Sequence, residues 1–147
     1  MKKLIAAHDE AVAKNTDREI VQHIDRQFAA LIDSLKDLAR SGSAQHYILR
    51  SAASIEQMCG GLTANLWDDP FEWTLPETLS TPDRTIEYLS EVDLARQRAF
   101  DRIHDDSALT KLVSVAGEPR LLIGLLLETL AKASDYRGKA VLLSRKT

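Results

Sequence analysis

The chain has 147 residues, of which 44% are hydrophobic and 28% charged, and its formal net charge at pH 7 is -3. A chain of this length can bury a sufficient core as one domain without disulfides or structural metals, so we expect a single domain over residues 1–147. Basic residues are interspersed with acidic ones, which argues against a nucleic-acid partner, and no apolar stretch reaches the roughly 18 to 20 residues of a membrane span.

The N-terminal stretch MKKLIAAHDEAVAK opens with positive charge, but His8, Asp9 and Glu10 interrupt its apolar run. We therefore interpret it as mature protein rather than a signal peptide, and expect it to add a helical segment before the main bundle. Cys59 is the single cysteine, which excludes an internal disulfide and a zinc site of paired thiolates. A soluble protein in a reducing cytoplasm is the predicted setting.

Two amphipathic helices are predicted from apolar residues spaced three or four apart. Thr16 and Glu19 form a capping-box pair at the start of the first, and Ser43 is the predicted N-cap of the second. The first stripe comprises Ile20, Val21, Ile24, Phe28, Leu31, Ile32, Leu35 and Leu38. The second comprises Ile48, Leu49, Ala52, Ile55, Cys59, Leu62 and Leu66. Because the loop between them is short, we predict that the two helices are antiparallel.

A long connection, WDDPFEWTLPETLSTPD, separates the second helix from the third. Trp67, Phe71 and Trp73 are expected either to pin it to the bundle through their large apolar areas or to line the mouth of a pocket for an apolar ligand. Thr81 and Pro82 supply an N-cap and a first helical residue for the third helix. Its apolar stripe comprises Tyr88, Leu89, Val92, Ala95, Ala99 and Ile103.

The last helix is predicted to open at Pro119, after a short extended piece, and to run to about Arg145. Its first half, Leu121 to Leu127, is apolar on nearly every side, so we expect a second subunit to cover part of it. The predicted fold is an all-α, up-and-down-type bundle of four main helices that forms a homodimer through its last helix.

Two stretches resemble the DinB-like (YfiT-like) four-helix bundles. SDYRGKAVLLSR at 134–145 resembles the family's His-Arg-Gly-Gln-(Ala/Ile)-x-x-x-x-x-Arg ending. YILRSAASIEQM at 47–58 resembles its second helix, in which a histidine is followed five residues later by a glutamate. The resemblance covers most of the chain after Lys14 and implies a bundle of that topology, with a long crossover between the second and third helices. Typical members hold one divalent metal with three histidines.

At the three ligand positions of that family this chain has Ser51, Lys132 and Tyr136. None is an imidazole, and a lysine ammonium repels a cation, so no metal is carried over and no cofactor is expected. The resemblance then implies a non-catalytic bundle that binds a small molecule or a protein partner. The alternative is a thiol-dependent S-transferase of the family's type on a non-standard or metal-free site, and a divalent metal, nickel or zinc, is expected only in this case. Without a Lewis acid that route loses several kcal/mol of charge stabilisation.

Glu128, Lys132 and Tyr136 lie four residues apart and form a polar line on the last helix, which Glu56 of the second helix is expected to face. We hypothesise that Lys132 supplies the positive charge that a metal supplies in relatives and that Glu128 or Glu56 balances this charge, leaving a pocket for an anion or a carbonyl. The alternative is a structural ion pair with a satisfied tyrosine, because a Glu-to-Lys spacing of four is common on helices.

Other residues are assigned structural roles. Cys59 is expected to behave as a small buried hydrophobe, and Gly60 and Gly61 to permit close packing rather than to cradle a phosphate. Arg137 is expected to pair with an acid on a neighbouring helix, and Gly138 to let two helices approach.

The remaining polar clusters are interpreted as surface features. The pairs Asp68–Asp69 and Asp105–Asp106 lie in predicted loops and are taken as solvated charge. His46, in the first turn of the second helix, is assigned a surface role. The sequence leaves one metal site possible, because the distance between residues on different helices does not follow from their spacing in the sequence. This site would consist of His46, Glu56, Glu128 and Asp135.

Overall fold

Four helices and a β-hairpin make up the part of the protein that the computed structural model describes, which comprises residues 17–42, 44–70 and 81–146. The elements in chain order are α1 (Glu19–Arg40), α2 (Gln45–Ala64), α3 (Pro82–Asp101), a 3-10 helix (Asp106–Thr110), β1 (Leu112–Val115), β2 (Glu118–Leu121) and α4 (Leu122–Lys146). The all-α prediction is confirmed in its coarse form, with a two-stranded sheet added. Several predicted features lie outside the described residues: the N-terminal helical segment, Thr16, Ser43, Phe71 and Trp73.

Helices that follow one another along the chain are not the most closely packed pairs. The α1 helix packs mainly on α3, and α2 packs mainly on α4. Contacts between α2 and α3, and between α1 and α4, close the bundle. In the described residues α1 and α2 share a much smaller interface, although only a short loop joins them.

The direction of each helix follows from contacts near its ends. The guanidinium of Arg18, just before α1, donates to the carbonyl of Phe100 near the end of α3 at 3.2 Å, so α1 and α3 are antiparallel. Gln45 and Thr85, in the first turns of α2 and α3, share a side-chain hydrogen bond of 3.1 Å. Because α2 and α3 start at the same end, they run parallel. The expected up-and-down order is wrong at this step, and the long connection between these helices is a crossover.

The apolar stripe predicted for α1 forms the core face of that helix. Its buried members are Val21, Ile24, Phe28, Leu31, Ile32 and Leu35, joined by Ala39. Leu38 is half-buried. The prediction is wrong for Ile20, which is 52% exposed because it lies beside the buried face in the first turn.

On α2 the predicted stripe is confirmed from Ile48 to Cys59, but Leu66 is 62% exposed since the helix ends at Ala64. Five consecutive residues of α2, from Ser51 to Ile55, are buried, because this helix packs on both α3 and α4. Burying apolar surface on two sides makes α2 the central helix of the bundle.

The third helix begins as its sequence predicts. The hydroxyl of Thr81 accepts from the backbone N–H of Arg84 at 3.3 Å, and Pro82 occupies the first helical position. Along the helix, Arg96 forms an ion pair with Asp25 of α1. This pair lies at the edge of the α1–α3 interface, where the side chain of Arg96 is only 11% exposed.

The first turn of α1 is capped from a distance. The carboxylate of Asp106 accepts from the N–H groups of Ile20 at 3.1 Å and Val21 at 2.9 Å. These are N–H groups that a helix leaves without internal partners, and a negative charge there opposes the positive end of the helix dipole. Asp106 is therefore not the solvated loop charge that the sequence predicted. Its neighbour Asp105 accepts from the Ser107 hydroxyl, which lowers the pKa of the Asp105 carboxyl.

Replacing Asp106 with alanine is expected to lower the free energy of unfolding by about 1 to 2 kcal/mol, because two helical N–H groups lose their acceptor. Urea denaturation followed by circular dichroism measures the change. Asp105→Ala is the matched control, since that carboxylate bonds within its own turn and should cost less. Equal losses in the two variants would show that Asp106 does not act as a cap.

The extended piece before α4 is a complete antiparallel hairpin. Its two-residue turn places Ala116 at φ 51° and Gly117 at φ 89°, a pair of left-handed residues as in a type I′ turn. Pro119 lies in β2 and α4 begins at Leu122, so the prediction that Pro119 opens the helix is wrong. A two-stranded sheet leaves each strand one free edge, where a residue without an N–H is tolerated.

The apolar start of α4 is only partly covered by its own bundle. Leu122, Leu125 and Leu126 are buried, whereas Leu121 and Leu127 are each 48% exposed. Among the described residues, none of the helices combines the length and apolar character that crossing a bilayer requires.

Candidate functional site

A cavity of about 390 Å³ lies between the second half of α2, the first half of α4 and the β-hairpin. Its volume falls in the range of small-molecule sites, about 300 to 1,000 Å³. The wall on the α2 side consists of Ser54, Gln57 and Met58, followed by Trp67. The opposite wall consists of Val115, Ala116 and Arg120 of the hairpin with Leu125, Glu128, Thr129 and Lys132 of α4.

The α4 wall is one face of the helix. Four residues form this face and lie above one another along two helical turns, because their spacing follows the helical period: Leu125, Glu128, Thr129 and Lys132. Leu125 and Thr129 are 6% and 9% exposed, whereas Glu128 and Lys132 are exposed. The deep part of this wall is therefore uncharged, with Leu125 and Thr129, and the charged side chains of Glu128 and Lys132 lie at the rim.

Trp67 is held against the end of α2 by three contacts. Its indole N–H donates to the side-chain oxygen of Asn65 at 2.8 Å, and its carbonyl accepts from the Gln57 amide at 2.7 Å. A Cβ added at Gly61 would clash with the indole ring, so the ring lies directly on the backbone of α2. Asn65, at φ 56°, ends the helix in the left-handed conformation and turns the chain back. Trp67 thus holds the residues that directly follow α2 against the helix and lines the cavity at the same time.

Gly61→Ala is expected to destabilise the protein by about 1 to 3 kcal/mol, because the new methyl group overpacks the contact with Trp67. Gly124→Ala is the control, since a Cβ there meets nothing within 4 Å. That second substitution should stabilise α4 by about 0.5 to 1 kcal/mol through lower backbone entropy in the unfolded chain. Thermal and urea denaturation of both variants would contradict this account if the two changes had the same sign.

The charged residues at the cavity rim do not form the ion pair between Glu128 and Lys132 that the sequence suggested. Glu128 forms an ion pair with Arg120 of β2, not with Lys132. Lys132 makes no hydrogen bond or ion pair with any residue that the structure describes. Sequence reasoning missed Arg120 because its position depends on the hairpin. Thr129 and Leu125 share the helical face of Glu128 and Lys132, so the helical period was the signal that would have found them.

Glu56 does not face the polar line on α4. It lies against α3, where it accepts a hydrogen bond from the hydroxyl of Tyr88. Tyr88 is 6% exposed, and burial, followed by the nearby carboxylate of Glu56, raises the pKa of its hydroxyl. The expectation that Glu56 balances Lys132 is wrong because α2 packs on α3 as well as on α4, and Glu56 lies on the α3 side.

The side chains at the three positions where the resembled family carries its metal ligands have different surroundings. The buried hydroxyl of Ser51 donates to the carbonyl of Ala133 at 2.7 Å, which occupies it in the α2–α4 interface. Tyr136 stacks on Tyr47, with ring centroids 6.4 Å apart, while Lys132 lies in the cavity wall. A hydroxyl bound to backbone, a stacked phenol and an ammonium are not a donor set for a divalent cation, so these residues do not fit the family's metal.

The alternative metal site of His46, Glu56, Glu128 and Asp135 is not formed either. Glu56 binds Tyr88, and Asp135 lies 3.3 Å from the ammonium of Lys139. His46 packs edge-on against Tyr47. In residues 17–42, 44–70 and 81–146, no three histidine, cysteine, aspartate or glutamate side chains come together as a metal-binding group.

The residues assigned structural roles have mixed outcomes. Cys59 is completely buried as predicted, and burial raises the pKa of its thiol to about 12. Arg137 donates to the hydroxyl of Ser34 at 3.1 Å, where an acid was expected. Gly138 does not mediate helix contact, since a Cβ there would meet nothing within 4 Å. Asp69 lies 3.9 Å from Arg50 rather than being free loop charge.

Comparison with known proteins yields no match. No protein-family model matches the chain, and neither does any curated protein or solved structure.

Proposed function

We propose that this protein is a DinB-like bundle without the histidine triad, and that it binds a small molecule in the cavity between α2, α4 and the hairpin without transforming it. Four helices and a crossover between the parallel helices α2 and α3 support the family assignment. So does the location of the two resembling stretches, 47–58 and 134–145, on the closely packed helices α2 and α4.

The observation that carries the binding role is the cavity itself. Its volume of about 390 Å³ exceeds what one or two water molecules occupy. Its lining combines an apolar part, formed by Met58, Leu125 and the fixed ring of Trp67, with buried hydroxyls such as that of Thr129 and with charged groups at the rim. Apolar side chains combined with placed polar groups are typical of a ligand site.

Binding is favoured over thiol-dependent transfer by where the chain's own reactive groups lie. Transfer requires a group that holds a thiol as the thiolate, which a metal does by direct coordination. Ser51 and Tyr136 are engaged elsewhere, so Lys132 is the one residue of the three family positions that lines the cavity. A single ammonium attracts a charge but does not replace three converging ligands.

The binding role predicts that filling the cavity abolishes binding. Thr129→Phe places a ring in the cavity wall, whereas Ala131→Phe places the same ring on the exposed side of α4. Fragments found with the wild-type protein by ligand-observed NMR should lose affinity at least about tenfold in Thr129→Phe and keep it in Ala131→Phe.

Circular dichroism establishes that both variants are folded. A fragment library with no binder to the wild-type protein, or binders with equal affinity for both variants, would contradict the binding role.

We also propose that two copies of the chain associate through the outward face of α4. Leu127, Leu142 and Leu143 are 48%, 59% and 41% exposed on this one helix. The small residues Ser134 and Gly138 lie between them, and the open space at Gly138 leaves room for a close approach by another chain.

Leu142→Arg is expected to shift a wild-type dimer to monomer, because it places an unpaired charge in the interface. Leu94→Arg is the matched control, since Leu94 is similarly exposed, at 51%, but lies on α3. Analytical ultracentrifugation at micromolar concentration measures both. A monomeric wild-type protein, or a dimer that survives Leu142→Arg, would refute association through α4.

A further inference from the structure

We infer that the ligand of this cavity is a small amphipathic organic anion. Lys132 and Thr129 hold its carboxylate, and Trp67, Met58 and Leu125 contact its apolar body. The inference rests on the proposed binding function and adds the chemical class of the ligand.

The rim of the cavity carries an excess positive charge. Arg120, Lys132 and Glu128 are the charged residues of its lining, and Arg120 already pairs with Glu128. Within the described residues the ammonium of Lys132 has no partner. An ammonium offers three donors and no acceptor, so the group that completes it must be an acceptor, and an anion is preferred.

Thr129 supplies a second donor beside Lys132. The two residues are three apart on α4 and are neighbours on the same helical face. Thr129 is 9% exposed and lines the cavity, and its hydroxyl makes no hydrogen bond with the described residues. A hydroxyl and an ammonium side by side match the two oxygens of one carboxylate. A phosphate dianion is a poorer match, because the other cation of the rim, Arg120, is already engaged by Glu128.

The apolar body of the ligand is defined by the deep part of the cavity. Met58 and Leu125 are 2% and 6% exposed there, and the ring of Trp67 is fixed by its contacts with Gly61 and Asn65. A ring that is already fixed loses little entropy on binding. Leu125 and Lys132 are two turns apart on α4, about 10 Å along the helix axis, which sets the distance between the apolar and anionic ends. An arylalkanoic acid with a short chain has these dimensions.

The probes are therefore 4-phenylbutanoate, its neutral amide 4-phenylbutanamide and the cation 4-phenylbutylamine, with inorganic phosphate as a fourth. Binding is measured by NMR titration of the full chain. We expect the carboxylate to bind at least about tenfold more tightly than the amide or the amine, and phosphate not to compete.

The variants assign the effect to named groups. Lys132→Met should weaken carboxylate binding at least about tenfold and leave amide binding unchanged. Thr129→Val, which keeps the shape, should weaken carboxylate binding by a smaller factor. Lys139→Met is the control on the same helix, because Lys139 lies outside the cavity beside Asp135 and Tyr136. It should bind the carboxylate as the wild type does.

The outcomes separate this inference from the binding function beneath it. Equal affinity for carboxylate and amide, or carboxylate affinity unchanged by Lys132→Met, would overturn the anionic class while the cavity remained a binding site. The anionic class would also be wrong, and the cavity still a binding site, if only neutral or cationic fragments bound and Thr129→Phe abolished their binding. If neither these probes nor any library fragment binds, both the ligand class and the binding function are wrong.

Discussion

The contact between α2 and α4 determines where the rest of the structure can lie. At its centre the hydroxyl of Ser51 donates to the backbone carbonyl of Ala133 in a fully buried interface. A side chain of one helix reaches the backbone of the next only where the side chains between the two helices are small, and both Ser51 and Ala133 are small. A buried hydroxyl without a partner is costly, so this hydrogen bond also sets the register of the two helices. With that register, Met58 and Leu125 come to opposite sides of the cavity.

Elements outside the four helices complete the site. Because α2 and α3 run parallel, the chain leaves α2 by a crossover rather than a tight turn, and its first residues fold back so that Trp67 covers Gly61. On the other side the hairpin brings Arg120 to Glu128 of α4. The helices α2 and α4 form two sides of the cavity, while Trp67 and the hairpin line the space between them.

The thiol of Cys59 and the phenol of Tyr88 do not line the cavity. The thiol of Cys59 and the hydroxyl of Tyr88 are both buried, and burial raises the pKa of each, so both remain protonated at neutral pH. The carboxylate of Glu56 accepts a hydrogen bond from the hydroxyl of Tyr88. The groups that do line the cavity include an ammonium, two hydroxyls and an amide, all of which are able to form hydrogen bonds. Of the three positions that carry metal ligands in the resembled family, one carries the ammonium of Lys132 here.

The sequence by itself determined the features that act within one or two helical turns. The spacing of Val21, Phe28 and Leu35 was enough to identify the buried face of α1, and Thr81 with Pro82 was enough to start α3. It also placed Glu128 and Lys132 on one face of α4, because the helical period is local. Cap geometry and side-chain period depend only on neighbours along the chain.

Only the tertiary structure decided which partner each of these residues meets. Asp106 caps a helix 85 residues away, Glu56 binds Tyr88 on a parallel helix, and Glu128 turns to a hairpin residue instead of Lys132. Each of these contacts depends on how a helix is rotated about its axis and on which element packs beside it. Those quantities follow from the packing of the whole core, and the spacing of residues along one segment does not contain them.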